Sequence, residues 1–183
     1  MQYQSIAVFC GSKTGSDPLY ATHAREVGRL MAKRNIALVY GGGNKGLMAA
    51  VANSVLENGG RVTGVIPEVL VHWEHQHEGL TELFVVKDMH TRKRKIYDLA
   101  DAAIILPGGF GTLDEVFEML TWNTLNIHDK KIFLLNSNGF YHHLIGHIAQ
   151  MENQGFLYND WKDRLVFVEQ PEAIFSALDA GKN

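Results

Sequence analysis

The sequence predicts an α/β fold in which one doubly wound parallel sheet carries helices on both faces. Two observations support this prediction. Throughout the 183 residues, short apolar segments of strand length alternate with segments whose apolar residues recur at helical spacing, which is typical of strands joined by crossover helices. One short segment, DAAIILPGG from Asp101 to Gly109, has an unbroken apolar stretch, as expected for a strand buried on both sides. Since no repeat or linker is present, we predict a single Rossmann-like domain over residues 1–183.

The predicted elements follow one another regularly along the chain. In the first helix, Asp17 is placed to act as the N-cap and Pro18 occupies the first helical position, a combination that favours a helix start. Residues 68–81 show no clear period and are predicted to form a loop or a short irregular helix. The predicted order is strand 5–10, helix 17–34, strand 36–40, helix 47–60, strand 61–67, strand 82–86, helix 89–100, the buried strand at 101–106, helix 112–122, strand 131–136, helix 141–152, strand 164–169 and a last helix from residue 171.

The composition is that of a folded globular protein, with 46% hydrophobic and 20% charged residues. The formal net charge of −3 is spread along the chain, which argues against nucleic acid or an anionic membrane as a partner. No apolar run approaches the roughly 18 residues that span a bilayer, and no secretory signal is recognised. The single cysteine, Cys10, excludes an internal disulfide and a cysteine-based zinc site. We therefore expect a cytoplasmic protein.

Three predicted strand-to-helix turns are rich in small residues: CGSKTGS, YGGGNKG and LPGGFGT. Ligands of open parallel sheets bind at the carboxyl ends of the strands, where these turns lie. Glycine lets the backbone approach a ligand closely, and a helix N-terminus offers free N–H groups and the positive end of the helix dipole. We therefore predict that a phosphate group binds at this edge of the sheet.

The second turn matches a familiar nucleotide-binding pattern only in part. The stretch Gly41–Gly46 satisfies the G-x-G-x-x-G spacing of dinucleotide-binding proteins, and Glu68 follows about twenty residues later. That pattern normally opens the first strand–helix unit and not the second, so the match is a weak indication of NAD binding. A P-loop is excluded because Leu47 and Met48 stand where it requires a lysine and a hydroxyl residue.

The segment HWEHQHE, from His72 to Glu78, contains three histidines and two acidic residues. Its spacing matches no compact zinc pattern, and the segment is not a clear helix. We therefore predict a solvated polar loop in preference to a metal site.

The run RKRK, from Arg92 to Lys95, is predicted to be divided between two sides of one helix. A run of charges usually forms a solvated face. Here, however, the apolar stripe of the helix passes through positions 92 and 93, so Arg92 or Lys93 should lie on the inward side. An inward cation requires a negative partner, such as an anionic ligand or the carboxylate of Glu115. The stripe consists of Met89, Ile96, Leu99 and Ala100.

Thr112 and Glu115 admit two interpretations. T-x-x-E before an apolar run is a capping box, in which the acid folds back onto the helix N-terminus. A capping box does not explain the glycines directly upstream, at 108, 109 and 111. We also expect Asp114 and Glu115 in the first turn, where the helix dipole favours an ionised carboxylate. Both roles remain open for Glu115.

Two central motifs resemble those of a known family. PGGFGTLDE matches the PGGxGTxxE motif, and MHTRK the M-H-x-R-K motif, of the LOG ("lonely guy") family of cytokinin riboside 5′-monophosphate phosphoribohydrolases, many of them once labelled lysine decarboxylases. The match extends through FCGS, YGGGNKGLM, GVIPE, HEGLTEL and NIHDK, and so covers most of the chain. Two departures are small: Ala49 replaces the glycine usual after GLM, and Trp73 stands where a basic residue is common.

The resemblance implies an N-glycosyl hydrolase that releases the free base and ribose 5-phosphate from adenosine-type nucleoside 5′-monophosphates, including N6-substituted ones. It implies Arg92 and Glu115 as the catalytic pair, no metal or organic cofactor, and a homodimer. It also implies a larger set of residues that contact the nucleotide. These are Ser12, Gly42, Gly43, Glu74, Met89, Lys93, Gly108, Gly109, Phe110, Gly111, Thr112, Leu113, Asp114 and Thr121.

Two other functions remain open from the sequence. One is a non-catalytic nucleotide or cofactor carrier of the same fold, similar to molybdenum-cofactor carrier proteins, because a fold does not fix a function. The other is a NAD-dependent oxidoreductase that uses Gly41–Gly46. Lysine decarboxylation is the least supported activity, because no lysine stands in a context typical of a pyridoxal Schiff base.

Overall fold

The computed structural model describes residues 3–71, 76–158 and 160–180. Its strands are β1 (Ser5–Phe9), β2 (Ala37–Tyr40), β3 (Val62–Pro67), β4 (Glu82–Val86), β5 (Ala102–Ile105), β6 (Ile132–Leu135) and β7 (Leu165–Val168). Its helices are α1 (Pro18–Lys33), α2 (Gly46–Glu57), α3 (Met89–Leu99), α4 (Phe110–Thr124), α5 (His142–Asn153), α6 (Trp161–Arg164) and α7 (Pro171–Ala180). Short 3₁₀ turns occupy Glu68–Leu70 and Ser137–Gly139.

The seven strands form one parallel sheet in the order β4-β3-β2-β1-β5-β6-β7. The chain starts at the centre, winds outwards to β4, returns to the other side of β1, and winds outwards again to β7. Ile6 in β1 therefore pairs with both Leu38 in β2 and Ala102 in β5. The predicted doubly wound fold is confirmed. In such a sheet the ligand crevice opens where the winding reverses, at the carboxyl ends of β1 and β5.

Side chains of the central strands alternate between two hydrophobic cores, one on each face of the sheet. In β1, Ile6 and Val8 belong to one core, and Ala7 and Phe9 to the other. Helices α1, α2 and α7 cover the first core, and α3, α4 and α5 cover the second. Each large aliphatic side chain that becomes buried stabilises the fold by roughly 1.5–3 kcal/mol. The two cores therefore fix the strand ends, and with them the turns that follow.

The helix boundaries agree with the sequence at α1 and differ at α4. The carboxylate of Asp17 accepts the N–H of Leu19 at 2.8 Å, and Pro18 is the first helical residue, as predicted. In contrast, α4 begins at Phe110, two residues before the predicted start at Thr112. The short helix α6 has no counterpart among the predicted elements. Across the described ranges, none of the helices combines the length and the apolar character that crossing a membrane requires.

Candidate active site

A cleft opens at the carboxyl ends of β1, β2 and β5, where the fold places its ligands. The end of β1 forms its floor, and its walls come from the turn after β2, from α3 and from the start of α4. The cleft brings the two residues implied to be catalytic to one place. It is lined by Val8, Phe9, Cys10, Gly11, Ser12, Gly41, Met48, Arg92, Gly109, Phe110, Gly111, Thr112 and Glu115.

Arg92 is buried in the wall of the cleft, with 6% of its surface exposed. Its Nε donates to the carbonyl of Val65 at 3.1 Å, and its Nη2 donates to the carbonyl of Gly41 at 3.3 Å. A Cβ atom at position 41 would overlap Nη2 of Arg92, so glycine there leaves room for the guanidinium. Two backbone carbonyls therefore orient the guanidinium. The inward side chain that the helical period predicts is found here.

Glu115 reaches the same cleft from α4 and is 9% exposed. Counted from Phe110, it is the sixth residue of the helix, so the prediction that Asp114 and Glu115 lie in the first turn is wrong. Burial raises the pKa of the Cys10 thiol on the cleft floor, and the charge of Glu115 raises it further. Among the described residues that line the cleft, Arg92 and Glu115 are the two that carry charged side chains.

The N-terminus of α4 presents backbone N–H groups to the cleft. Gly109 is the N-cap residue, and within the described residues no side chain hydrogen bonds to this cap. The capping box at Thr112 and Glu115 is therefore wrong: the extended backbone of Gly109 starts the helix early and makes Thr112 its third residue. The first N–H groups of a helix lack acceptors within the helix and lie at the positive end of its dipole. A helix start of this kind is suited to bind an anion.

Lys93 and Asp114 connect α3 to α4 beside the cleft. The Lys93 Nζ lies 2.6 Å from a carboxylate oxygen of Asp114 and 3.4 Å from one of Glu118. The hydroxyl of Tyr97 also donates to Glu118, at 2.8 Å. Burial alone would lower the pKa of Lys93, but these carboxylates raise it above its ordinary value. The network therefore sets the spacing between the two helices that carry the charged pair.

Most other residues implied to contact the nucleotide lie in or beside the cleft. Gly108 lines an adjoining cleft, which shares Ser12 and Gly109 with the first. Met89 begins α3, and its Sδ lies 3.9 Å from Nη1 of Arg92. Lining the first cleft itself are Ser12, Gly109, Phe110, Gly111 and Thr112.

The remaining residues of that set lie elsewhere. Gly42 and Gly43 are buried in the turn after β2, and Leu113 packs against the core beneath α4. The hydroxyl of Thr121 donates to the carbonyl of Phe117 at 2.7 Å, and Thr121 lines a separate apolar groove between α4, α5 and α6. The position predicted for Glu74 is outside the described residues.

His77 belongs to the segment that was predicted to be a solvated loop, and for His77 this prediction is wrong. The residue is 7% exposed. Its backbone N–H donates to the carbonyl of Gly42 at 3.0 Å, and its Nε2 lies 2.8 Å from Oδ1 of Asn53. Protein groups replace water around it, which permits the burial. As for metals, the described residues contain no group of three potential ligands, and residues 72–75 are outside that search.

Sequence comparisons match this chain to one family model and to several known proteins. A family model with the description "possible lysine decarboxylase" matches residues 48–178. A cytokinin riboside 5′-monophosphate phosphoribohydrolase from Rhodococcoides fascians is 43% identical over 176 residues, which cover 96% of this chain and 89% of the relative. A protein of the same designation from Arabidopsis thaliana is 43% identical over 178 residues, or 97% of this chain and 83% of the relative.

Solved structures of similar fold include two proteins that handle the molybdenum cofactor. The molybdenum cofactor binding protein from Rippkaea orientalis has a TM-score of 0.75 at 21% identity and covers 100% of this chain and 99% of its own. The Moco carrier protein from Chlamydomonas reinhardtii has a TM-score of 0.69 at 18% identity, with 96% and 95% covered. At these identities the likeness establishes the fold alone.

Proposed function

Because this chain belongs to the family of cytokinin riboside 5′-monophosphate phosphoribohydrolases, we propose that it hydrolyses the N-glycosidic bond of adenosine-type nucleoside 5′-monophosphates. The products are ribose 5-phosphate and the free base, which is adenine or an N6-substituted cytokinin. One observation carries the proposal: Arg92 and Glu115 line a single cleft beside the uncapped start of α4. We further propose that residues 1–183 act as one nucleotide-binding domain in the cytoplasm.

The 5′-phosphate binds at the start of α4. The backbone N–H groups of Phe110, Gly111 and Thr112 supply donors there, and Ser12 lines the same cleft from the turn after β1. A helix N-terminus stabilises an anion through these donors and through its dipole. The energy of binding the phosphate then positions the ribose for reaction. A nucleoside without the phosphate should accordingly be a poor substrate.

Glu115 stabilises the positive charge that develops on the ribose. When the bond between C1′ and the base nitrogen breaks, the base leaves with the electron pair and takes up a proton. The sugar passes through an oxocarbenium-like state, and the oxygen of a water molecule forms the new bond to C1′ as that water loses a proton. A fixed carboxylate stabilises such a cation more strongly in a cleft than in water. Glu115 also accepts hydrogen bonds from the ribose hydroxyls and orients the water.

Arg92 anchors the substrate and complements Glu115. Its two backbone acceptors, at Val65 and Gly41, hold the guanidinium against the wall of the cleft. A positive charge in the same cleft favours the carboxylate form of an acid. Neither role calls for a metal ion or an organic cofactor, so we propose hydrolysis by the protein side chains alone.

The proposed activity is tested by incubating the protein with AMP, with an N6-prenylated AMP and with the corresponding nucleosides, and by separating the released bases by chromatography. We expect base release from the 5′-monophosphates and much slower release from the nucleosides. Equal turnover of the nucleosides would contradict the phosphate site. Saturable binding of AMP with no base release from any 5′-monophosphate would favour the carrier alternative, for which the similar folds are the present support.

The oxidoreductase alternative depends on the glycines of Gly41–Gly46, and these glycines have partners within the protein. Gly41 accommodates the guanidinium of Arg92. Gly46 has a φ of 57°, and a Cβ atom there would overlap the backbone of Ser12 and Lys13. Packing therefore explains both glycines without a bound dinucleotide.

We also propose a homodimer that uses the exposed side of α4. Phe110 is 94% exposed and Phe117 is 38% exposed, seven residues further along the same side of the helix. Exposed apolar side chains that form a patch mark an interaction surface. Phe156 and Tyr158, which are 78% and 70% exposed, line the apolar groove beside Phe117. A second copy covering this groove would bury these exposed aromatic side chains.

This arrangement would also explain the position of Thr121. If two α4 helices pack antiparallel about Phe117, Thr121 of each copy approaches the start of α4 in the other copy. Thr121 would then contact the nucleotide bound by the other copy. Light scattering tests the dimer: we expect twice the chain mass for the wild type, and a monomer for Phe117→Glu, whose charge cannot be buried between the helices. A wild-type monomer with full activity would contradict the proposal.

A further inference from the structure

We propose that His77 is a positioning residue for Arg92. It holds the glycine turn after β2 in place, and this turn directs the guanidinium into the cleft. The inference rests on the proposed function, because it gives His77 a role in the same reaction. His77 does not itself line the cleft in the described part of the chain, so it acts through the residues that it contacts.

The backbone around His77 is joined to the turn Gly41–Gly43. The N–H of His77 donates to the carbonyl of Gly42 at 3.0 Å, and the neighbouring Gln76 forms an antiparallel bridge with Gly43. On its other side, the turn is in contact with the sheet. Gly42 has a φ of 78°, and Ile66 and Leu83 lie close to the position that a Cβ atom would take. The turn is therefore held between two strands and the segment of His77.

The imidazole of His77 fixes this segment to α2. Its Nε2 lies 2.8 Å from Oδ1 of Asn53, and the N–H of Gly79 donates to its Nδ1 at 3.1 Å. Because Nδ1 accepts a hydrogen bond, the neutral ring carries its proton on Nε2 and donates it to Asn53. Burial lowers the pKa of His77, in keeping with this neutral form. Both ring nitrogens are therefore in use, and the ring has one orientation.

The same turn supplies an acceptor to Arg92. Nη2 of Arg92 donates to the carbonyl of Gly41, the residue adjacent to the one that His77 binds. The second acceptor, the carbonyl of Val65, belongs to a buried strand and is fixed by the core. The Gly41 carbonyl lies just after the end of β2, and His77 supports it through Gly42. If His77 is lost, the support of the Gly41 carbonyl, one of the acceptors of the guanidinium, is weakened.

The first experiment compares substitutions of His77 with a matched control. His77→Ala removes both ring contacts, and we expect kcat for AMP to fall roughly 10- to 100-fold, the usual effect of a small misplacement of a catalytic group. His77→Gln keeps a donor near the position of Nε2 and should recover part of the loss. The control is His23→Ala. His23 is also buried and also hydrogen bonded through its ring, with Nδ1 at 2.8 Å from the hydroxyl oxygen of Ser137, but it lines a different cleft.

The decisive experiment is a double-mutant cycle with Arg92→Lys. If His77 acts through Arg92, the loss of kcat/KM caused by His77→Ala should shrink to less than about 3-fold once Arg92 is lysine, because residues that act together are not additive. His23→Ala should have the same small effect in both backgrounds. If His77→Ala does not fold, Asn53→Ala takes its place in the cycle, since it removes only the anchor of the ring.

The outcomes separate this inference from the proposed function. An equal loss from the His77 or Asn53 substitution in both backgrounds would overturn the positioning role and leave the catalytic assignment intact. Full activity of Arg92→Lys would remove the catalytic assignment of Arg92, and the role of His77 with it. Partial recovery in His77→Gln, together with a loss that disappears in the Arg92→Lys background, is the result that we expect.

Discussion

The two glycine-rich turns beside the cleft, Gly41–Gly46 after β2 and Gly108–Gly111 after β5, are similar in sequence and different in structure. In the first turn, glycines adjoin other protein atoms, as the guanidinium at Gly41 and the backbone at Gly46 demonstrate. In the second turn, a Cβ atom at Gly109 or Gly111 would meet no atom of the described residues within 4 Å. The same composition therefore has two causes. Gly41 and Gly46, and likewise Gly108 beside Thr112, make room for protein atoms, whereas Gly109 and Gly111 leave backbone amides open to a ligand.

This difference predicts opposite consequences for glycine-to-alanine substitutions. In the first turn, a methyl group should disturb Arg92 or the backbone, whether or not nucleotide is present. At Gly109 or Gly111 of the second turn, it should leave the protein intact and interfere only with the ligand.

The largest effect is expected for Gly41→Ala. The added methyl group would displace the guanidinium of Arg92, which is the flexible end of a long side chain. Stability should change little, whereas kcat/KM for AMP should fall by roughly 100-fold, as expected when a positioned group moves. Thermal melting and base release, measured on the same samples, test this. A large drop in melting temperature with unchanged kcat/KM would contradict this interpretation of the first turn.

A smaller effect, on stability, is expected for Gly46→Ala. Gly46 has a φ of 57°, and the atoms that a methyl group would meet are backbone atoms of Ser12 and Lys13, which cannot move aside easily. We expect a loss of roughly 1–3 kcal/mol in the free energy of unfolding. Gly59→Ala is the matched control, because Gly59 has a φ of 74° and no atom of the described chain near its Cβ position. Urea unfolding should show the larger loss at position 46. Equal losses would mean that strain alone, and not packing, requires this glycine.

The smallest effect is expected for Gly111→Ala. Since α4 already includes this residue, alanine should stabilise the helix by up to about 1 kcal/mol. The methyl group would lie in the cleft, so KM for AMP should rise several-fold while kcat changes less. Steady-state kinetics together with urea unfolding measure both changes. A loss of stability here would show that the second turn is packed like the first.

The fold and half of the charged pair were accessible from the sequence because local patterns determine them. The alternation of strands and helices predicts the doubly wound sheet. The helical period of α3 predicts that Arg92 or Lys93 lies inward, and Arg92 is the buried one. The start of α4 was not accessible in the same way. Thr112 and Glu115 match the sequence pattern of a capping box. Only the extended backbone of Gly109 in the structure shows that α4 starts earlier, at Phe110.

Other features depend on contacts between residues far apart in the chain. His77 is buried because Asn53 and Gly42 complete its hydrogen bonds. The hydrophobic periodicity of the sequence does not predict contacts between residues so far apart. Thr121 lies in a groove that α4 forms with α5 and α6. The sequence of α4 alone does not show which elements pack beside Thr121. A buried polar residue in an aperiodic segment could have been found only through its distant partners.

The most direct test of the central claim is a comparison of Glu115→Gln with the wild type, with AMP binding measured by calorimetry and base release by chromatography. The control is Glu26→Gln, a half-buried glutamate of α1 paired with Arg29, which should behave as the wild type. For Glu115→Gln we predict a dissociation constant within about 3-fold of the wild-type value and a kcat lower by roughly 10²–10³-fold, because the charge that stabilises the sugar cation is gone. Base release by Glu115→Gln at the wild-type rate would contradict the role of Glu115 and, with it, the proposed mechanism.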